Sequence, residues 1–306
     1  AGGGMDINGT VDVQHGVLTL SNNFTAAGDL KGSAGVTFAG GIAGTFDGAG
    51  NQQVIASAGD IIDGASTVLA KNNGNNLILS AAAGKVGTDT SNRLGVATAG
   101  GAALQVVSGN GGIFLVSAGD LNVANLTTVL NTAQTIDILT TGTANLVMAG
   151  PYTNLGGTTG DNVVLSAGGG VTIGTNTLAA GNVTVNFGAG GGASLVLNRA
   201  VTGTNVSFSG DTGSDTIDAT GLASAVNFTV SGTNGGSLSG GVTANFSNIE
   251  NLVGTAGNDQ FVFSGGSTLT GTANGGDGND TFTLAGNATV GTLVGGTGND
   301  TFDLAG

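Results

Sequence analysis

Two nine-residue phrases near the end of the chain, Gly275-Gly-Asp-Gly-Asn-Asp-Thr-Phe-Thr283 and Gly295-Gly-Thr-Gly-Asn-Asp-Thr-Phe-Asp303, repeat one pattern at the interval that separates Asp280 from Asp300. A looser copy, Gly254-Thr-Ala-Gly-Asn-Asp-Gln-Phe-Val262, stands almost the same interval earlier, and a fourth, Gly210-Asp-Thr-Gly-Ser-Asp-Thr-Ile-Asp218, precedes that. A near-constant interval of about 20 residues restricts the fold sharply. Each repeat is too short to bury its own apolar side, so repeats must stack and share one lengthening core.

The rest of the sequence carries the same rhythm more loosely. Short apolar runs recur between Gly, Asn, Thr and Asp: Val11–Val13, Val17–Leu20, Val36–Phe38, Leu77–Leu79, Ile136–Ile138, Val171–Ile173, Val183–Val185 and Leu195–Leu197. They read as strands of three to five residues with tight turns between them. No long window has a capped helical stripe, so helix is expected to be nearly absent. Ser57-Ala-Gly-Asp-Ile61 returns as Ser117-Ala-Gly-Asp-Leu121, which reads as three intervals of about 20 residues. The expected fold is all-β, a parallel β-solenoid of about 20 residues per turn, with roughly 15 turns and a length of about 70 Å at ~4.8 Å per rung.

Composition fits such a coil. Of 306 residues 62 are Gly and one is Pro, while 39% are apolar, which argues against both collagen and disorder. There is no Cys, so neither disulfides nor thiolate metal sites are available. No apolar run approaches the ~18 residues of a membrane span, so no membrane insertion is expected. The chain opens on Ala1-Gly-Gly-Gly and stops at Gly306 inside a repeat, which reads as a segment cut from something longer.

Charge is distributed unevenly. Residues 1–199 hold ten acids and all five bases, a net of −5, whereas residues 200–306 hold nine acids and no base, a net of −9. Without a cationic footprint nucleic acid is excluded as a partner, and an anionic membrane surface is disfavoured. The acidic part looks instead like a consumer of cations.

The nonapeptides fit G-G-x-G-x-D-x-U-x, in which glycines let carbonyl oxygens turn inward, the Asp adds a carboxylate and the apolar residue anchors the next strand. The spacing places Gly275, Gly276, Gly278 and Asp280 against Gly295, Gly296, Gly298 and Asp300 on the neighbouring turn. Asp277, Gly257, Asp259 and Asp215 complete the candidate metal ligands. Stacked carboxylates repel, and a hard divalent cation with oxygen ligands removes the repulsion, which points to Ca²⁺. Alternatively, Gly-Asn-Asp is a bare turn stacked as Asn and Asp ladders. The same register predicts inward columns Phe261–Phe282–Phe302 and Phe263–Leu284–Leu304, with Val262, Thr283 and Asp303 facing solvent.

The phrase Phe246-Ser-Asn-Ile-Glu-Asn-Leu-Val-Gly254, running into the nonapeptides, resembles the repeat regions of large bacterial surface proteins. The nonapeptides are similar to the RTX (haemolysin-type) calcium repeat, and residues 1–200, with their Ser-Ala-Gly-Asp phrases, resemble the shaft of filamentous haemagglutinin-type adhesins. The resemblance implies a right-handed β-helix at the bacterial cell surface: an adhesin-like shaft over 1–200, and over 201–306 a continuation with calcium-binding turns. It also implies extracellular fibre partners, either copies or segments of the same fibre, or a receptor or glycan. The sequence departs from the RTX pattern, in which nonapeptides follow one another directly and both edges carry metal. Here one edge alone is expected to do so.

Three other readings compete. Polysaccharide-acting enzymes share the β-helix, but their chemistry needs paired acids or a base in a groove. Here Lys31, Lys71, Lys85, Arg93 and Arg199 are dispersed, and His15, the single His, reads as a turn residue, so no enzyme is expected. A self-assembling filament or surface-layer subunit fits the composition equally well. An ice-binding solenoid would need a regular Thr row, and Thr is irregularly placed.

Overall fold

In the computed structural model, described over residues 4–64, 67–71, 73–128, 133–153, 160–189 and 191–304, the chain is a parallel β-solenoid with no helix among those residues. Two long walls carry it: one sheet of 16 strands, starting at Met5–Ile7, and one of 14, starting at Val11–Val13. All the expected runs lie in strands, for example Val171–Ile173 and Ser194–Leu197.

Alternation sets the walls. In Gln52–Ala56, Leu77–Ala81 and Leu104–Ser108 every second residue is buried, because successive side chains point to opposite faces. In-register pairing then stacks Val54, Leu79, Val106 and Leu126 into one fully buried column. Burying such a side chain is worth roughly 1.5–3 kcal/mol. One cluster of buried residues extends this way from Ile7 to Phe282.

The period differs from the expected one. Turns average roughly 23 residues and number about 12, so the rod is nearer ~60 Å than ~70 Å at ~4.8 Å per rung. Turn length also varies along the stack: Leu77 pairs with Leu104 across a long turn, whereas Phe282 pairs with Phe302 across a short one. The corners absorb the difference: Thr88–Asn92 folds into its own turn, with Thr88 N donating to Asn92 O. A short third face, Val17–Leu20, Gly35–Phe38 and Ile61–Asp63, also lengthens the early turns. It continues through single bridges at Val86 and Ile113 and there joins the first wall.

The two Ser-Ala-Gly-Asp phrases do not mark three equal stacked intervals. Ser57–Asp60 turns the chain from the second wall onto the third face, while Ser117–Asp120 turns it from the first wall to the second. They share a capping function instead. Asp60 Oδ1 accepts Lys85 N at 2.9 Å, and Asp120 Oδ1 accepts Asn145 N at 2.8 Å, each one turn up the stack. Asp29, in Ala27-Gly-Asp-Leu30, accepts Gln53 N in the same way at 3.0 Å.

One segment breaks the uniform stack. Asn227–Val230, Gly236–Ser239 and Ala244–Ser247 form an antiparallel meander inside the first wall, which the chain enters beside Gln260–Phe263 and leaves beside Asn205–Ser209. Asn234, with φ of 50°, shapes its first reversal. Beyond the meander the turns become regular and carry the nonapeptides.

Candidate metal centre

Each strict nonapeptide begins inside the second wall and ends in the first. Gly275, Gly276 and Asp277 close the strand Thr268–Asp277, and Gly295 and Gly296 lie in Thr289–Thr297. Gly278 and Gly298 turn the corner with φ of 117° and 130°, and Asp280 and Asp300 lead into Thr281–Leu284 and Thr301–Asp303. The expected pairing is present: Gly276 sits on Gly296, and Asp277 on Thr297.

The apolar ladder below the corner fixes this register. Phe228, Phe261, Phe282 and Phe302 form one stack, with ring centroids 5.2, 4.8 and 4.9 Å apart. Such contacts add ~0.5–1.5 kcal/mol each beyond area burial. Phe263 pairs with Leu284 as expected, while Phe302 and Leu304, on the last described turn, are 45% and 63% exposed.

Above the Phe stack Asp259, Asp280 and Asp300 form a column of carboxylates at the corner from the second wall to the first, whereas Asp215, between Asn205–Ser209 and Thr216–Asp218, lies at the opposite corner, from the first wall to the second. Asp215, Asp259 and Asp280 are each at most 1% exposed. Their Oδ1 atoms follow one rule: each accepts a backbone N–H from the turn before. Ala193 N donates to Asp215 at 2.8 Å, Val226 N to Asp259 at 2.6 Å, Asp259 N to Asp280 at 2.8 Å and Asp280 N to Asp300 at 3.0 Å. Glu250, the sole Glu, stands one turn on from Asp215 at that opposite corner, just before Asn251–Val253, and its Oε2 accepts Asp215 N at 2.8 Å.

The Oδ2 atoms divide these carboxylates. Asp215 Oδ2 accepts Asp211 N at 2.8 Å, and Asp259 Oδ2 accepts Thr255 N at 2.6 Å. Thr255 Oγ1 adds contacts of 3.0 and 3.2 Å to the two Asp259 oxygens. Asp280 Oδ2 is buried with no donor at all. A buried acceptor left unmade costs ~1–3 kcal/mol, and more when charged. Burial pushes the Asp280 carboxyl above its ordinary range, against the N–H of Asp259, and the neighbouring Asp259 and Asp300 carboxylates push the same way as burial.

A backbone carbonyl stands close to that oxygen. Asp280 Oδ2 and the Gly295 carbonyl oxygen both lie within 2.5 Å of where a Cβ on Gly275 would stand. Only a glycine leaves that space open. Among the described residues no cluster of three or more His, Cys, Asp or Glu could hold a metal by side chains alone. A cation here would take Asp280 together with backbone carbonyls, a donor set suited to Ca²⁺.

Asp259 beside Gly254 and Asp215 beside Gly210 have a similar cradle, so the donors on their oxygens, not the space, set them apart. The Asp277 side chain is exposed and accepts Thr297 Oγ1 at 2.6 Å. Gly257 N is tied to Thr255 Oγ1 at 2.9 Å, and Asp215 and Asp259 have donors on both oxygens. The Asn ladder weighed as an alternative exists beside the Asp column: Asn258 Oδ1 accepts Asn279 N, and Asn279 Oδ1 accepts Asn299 N. Sequence reasoning missed Thr255 and Glu250, although one stands at the altered second position and the other is the only Glu in the chain.

Comparison with known proteins supplies no relative: no protein-family model matches the chain, and no curated protein or solved structure does either.

Proposed function

We propose that this chain is a structural, adhesin-like segment of an extracellular bacterial surface fibre, stiffened near residues 275–300 by Ca²⁺ held between Gly-rich turns. The observation that carries the calcium part is the buried, donor-free Asp280 Oδ2 beside the Gly295 carbonyl. The ion would neutralise that oxygen and couple two turns. A fibre role rests on the elongated stack and on the resemblance of the repeats. Its partners would be further segments or copies of the fibre, and a receptor or glycan at the surface it reaches.

We propose no catalytic role for the chain. A groove of about 780 Å³ runs along the second wall past Asn122, Asn145 and Thr172, and its one titratable residue is Asp120. That carboxylate already caps Asn145 N. A second reading is a self-assembling subunit in which such a coil packs against copies of itself. Sedimentation separates the two, since a subunit associates with rising concentration and a fibre segment does not.

Limited proteolysis tests the calcium part. Chelation should expose residues 254–304 to cleavage and leave 1–200 protected. Equal resistance with and without chelator overturns it.

A further inference from the structure

Four turns share the nonapeptide frame, and the three carboxylates that are buried, Asp215, Asp259 and Asp280, end in two different states. The state follows the second residue of each copy. Where that residue is Asp211 or Thr255, its own N–H points back onto Oδ2 of the Asp four residues later, at 2.8 and 2.6 Å. Where it is Gly276, that oxygen has no donor.

The backbone explains the split. Gly276 and Gly296 have φ of 101° and 106°, a region open to glycine and strained for other residues. Among the described residues, positive φ outside glycine occurs only at Asn234, Asn248 and Asn287, so Asp211 and Thr255 keep ordinary angles. Ordinary angles aim the second N–H at the carboxylate. Gly276 takes a positive φ instead and pairs with Gly296 in the wall.

We infer that the second residue of each nonapeptide selects between an N–H-capped carboxylate and a cation site, so that Thr255 and Asp211 close their turns to cations and Gly276 opens its own. This rests on the calcium reading above and deepens it: the cation column begins at Asp280, Asp259 is a cation-free continuation of it, and Asp215 is a cation-free carboxylate at the opposite corner. Thr255 is then a specificity-determining residue, supplying through N and Oγ1 what the ion supplies one turn on.

The test is the number of Ca²⁺ ions bound per full chain, measured with calcium alone by equilibrium dialysis and by native mass spectrometry. Thr255→Gly restores Gly-Gly at 254–255 and should bind one ion more than the parent. Thr255→Val keeps the ordinary backbone angles and the N–H, and should bind the parental number. Asp211→Gly makes the same change in the 210–215 turn and should also add one ion, which keeps the inference testable should loss of the Thr255 hydroxyl unfold its turn. A parental count in both glycine variants, alongside calcium binding by the parent that Asp280→Asn removes, overturns the inference and leaves the calcium reading standing. A gain in Thr255→Val also overturns it. No calcium on any of these proteins overturns both.

Discussion

Asp259 N donates to Asp280 Oδ1 at 2.8 Å, so a carboxylate on one turn closes the backbone of the turn before it. The other oxygen of the same carboxylate has no donor. One group is thus both a staple and a liability.

Replacing Asp280 with Asn separates those roles. The amide keeps an oxygen for Asp259 N and removes the buried charge. Without calcium, Asp280→Asn should stabilise the protein by about 1 kcal/mol, the scale of an unmet buried acceptor. With calcium it should lose the stabilisation that the parent gains. Urea unfolding with and without chelator checks both signs, and an identical calcium response in the variant contradicts the assignment.

The pH dependence of the calcium-free protein has a defined direction. Burial raises the Asp280 carboxyl above its unfolded value of 3.8, so between the two values the folded state holds a proton that the unfolded state has lost. Stability from this group is therefore greatest below about pH 3.8 and falls as pH rises through the raised value. Saturating calcium should flatten that fall. Urea midpoints from pH 3 to pH 7, followed by circular dichroism, report it.

Lys71 is fully buried, and its Nζ donates to Gly48 O at 2.9 Å and Gln52 Oε1 at 2.6 Å, both uncharged. Burial holds the ammonium below its usual range, partly offset by Asp47. The unfolded state thus binds more protons than the folded one just below pH 10.5, and stability should rise through that alkaline interval. Lys71→Met should abolish the rise and stabilise the protein by about 1 kcal/mol at neutral pH. Both acceptors keep donors, since Gly48 N reaches Gln52 Oε1 and Asn73 Nδ2 reaches Gly48 O. A large loss of stability would mean that the ammonium itself organises the corner.

Asp60→Ala removes the cap on Lys85 N and should cost about 1 kcal/mol, as for a lost neutral-to-charged hydrogen bond of modest burial. Asp60→Asn should recover most of it. Amide exchange at Lys85 gives the local readout: faster in the Ala variant and near parental in the Asn variant.

The parallel coil, its strands and the Phe261–Phe282–Phe302 stack were legible because alternation and spacing are local properties of the sequence. Turn length was not, since polar corners such as 87–93 add residues without disturbing the walls. The Ser-Ala-Gly-Asp phrases misled on phase: they encode a cap, and a cap serves equally at either kind of corner. The meander was hidden because Asn227–Val230 alternates like any other strand, and only the reversals around Asn234 and Gly240–Gly241 turn it back. In the metal centre the spacing placed Asp259, Asp280 and Asp300 in one column. That Thr255 and Asp211 satisfy their own carboxylates depends on backbone angles, which the residue types suggest only once the turn is built.

The corner bonds also have a direction. The inner Asp residues reach back to the preceding turn, whereas Asn258 and Asn279 receive the N–H of the following one. A chain laid down from its N-terminus would therefore carry an unsatisfied Asp N–H at its growing tip until the next turn docked, then pass the vacancy forward. Growth of this kind is templated one rung at a time, and its advancing edge is always the least finished part of the rod.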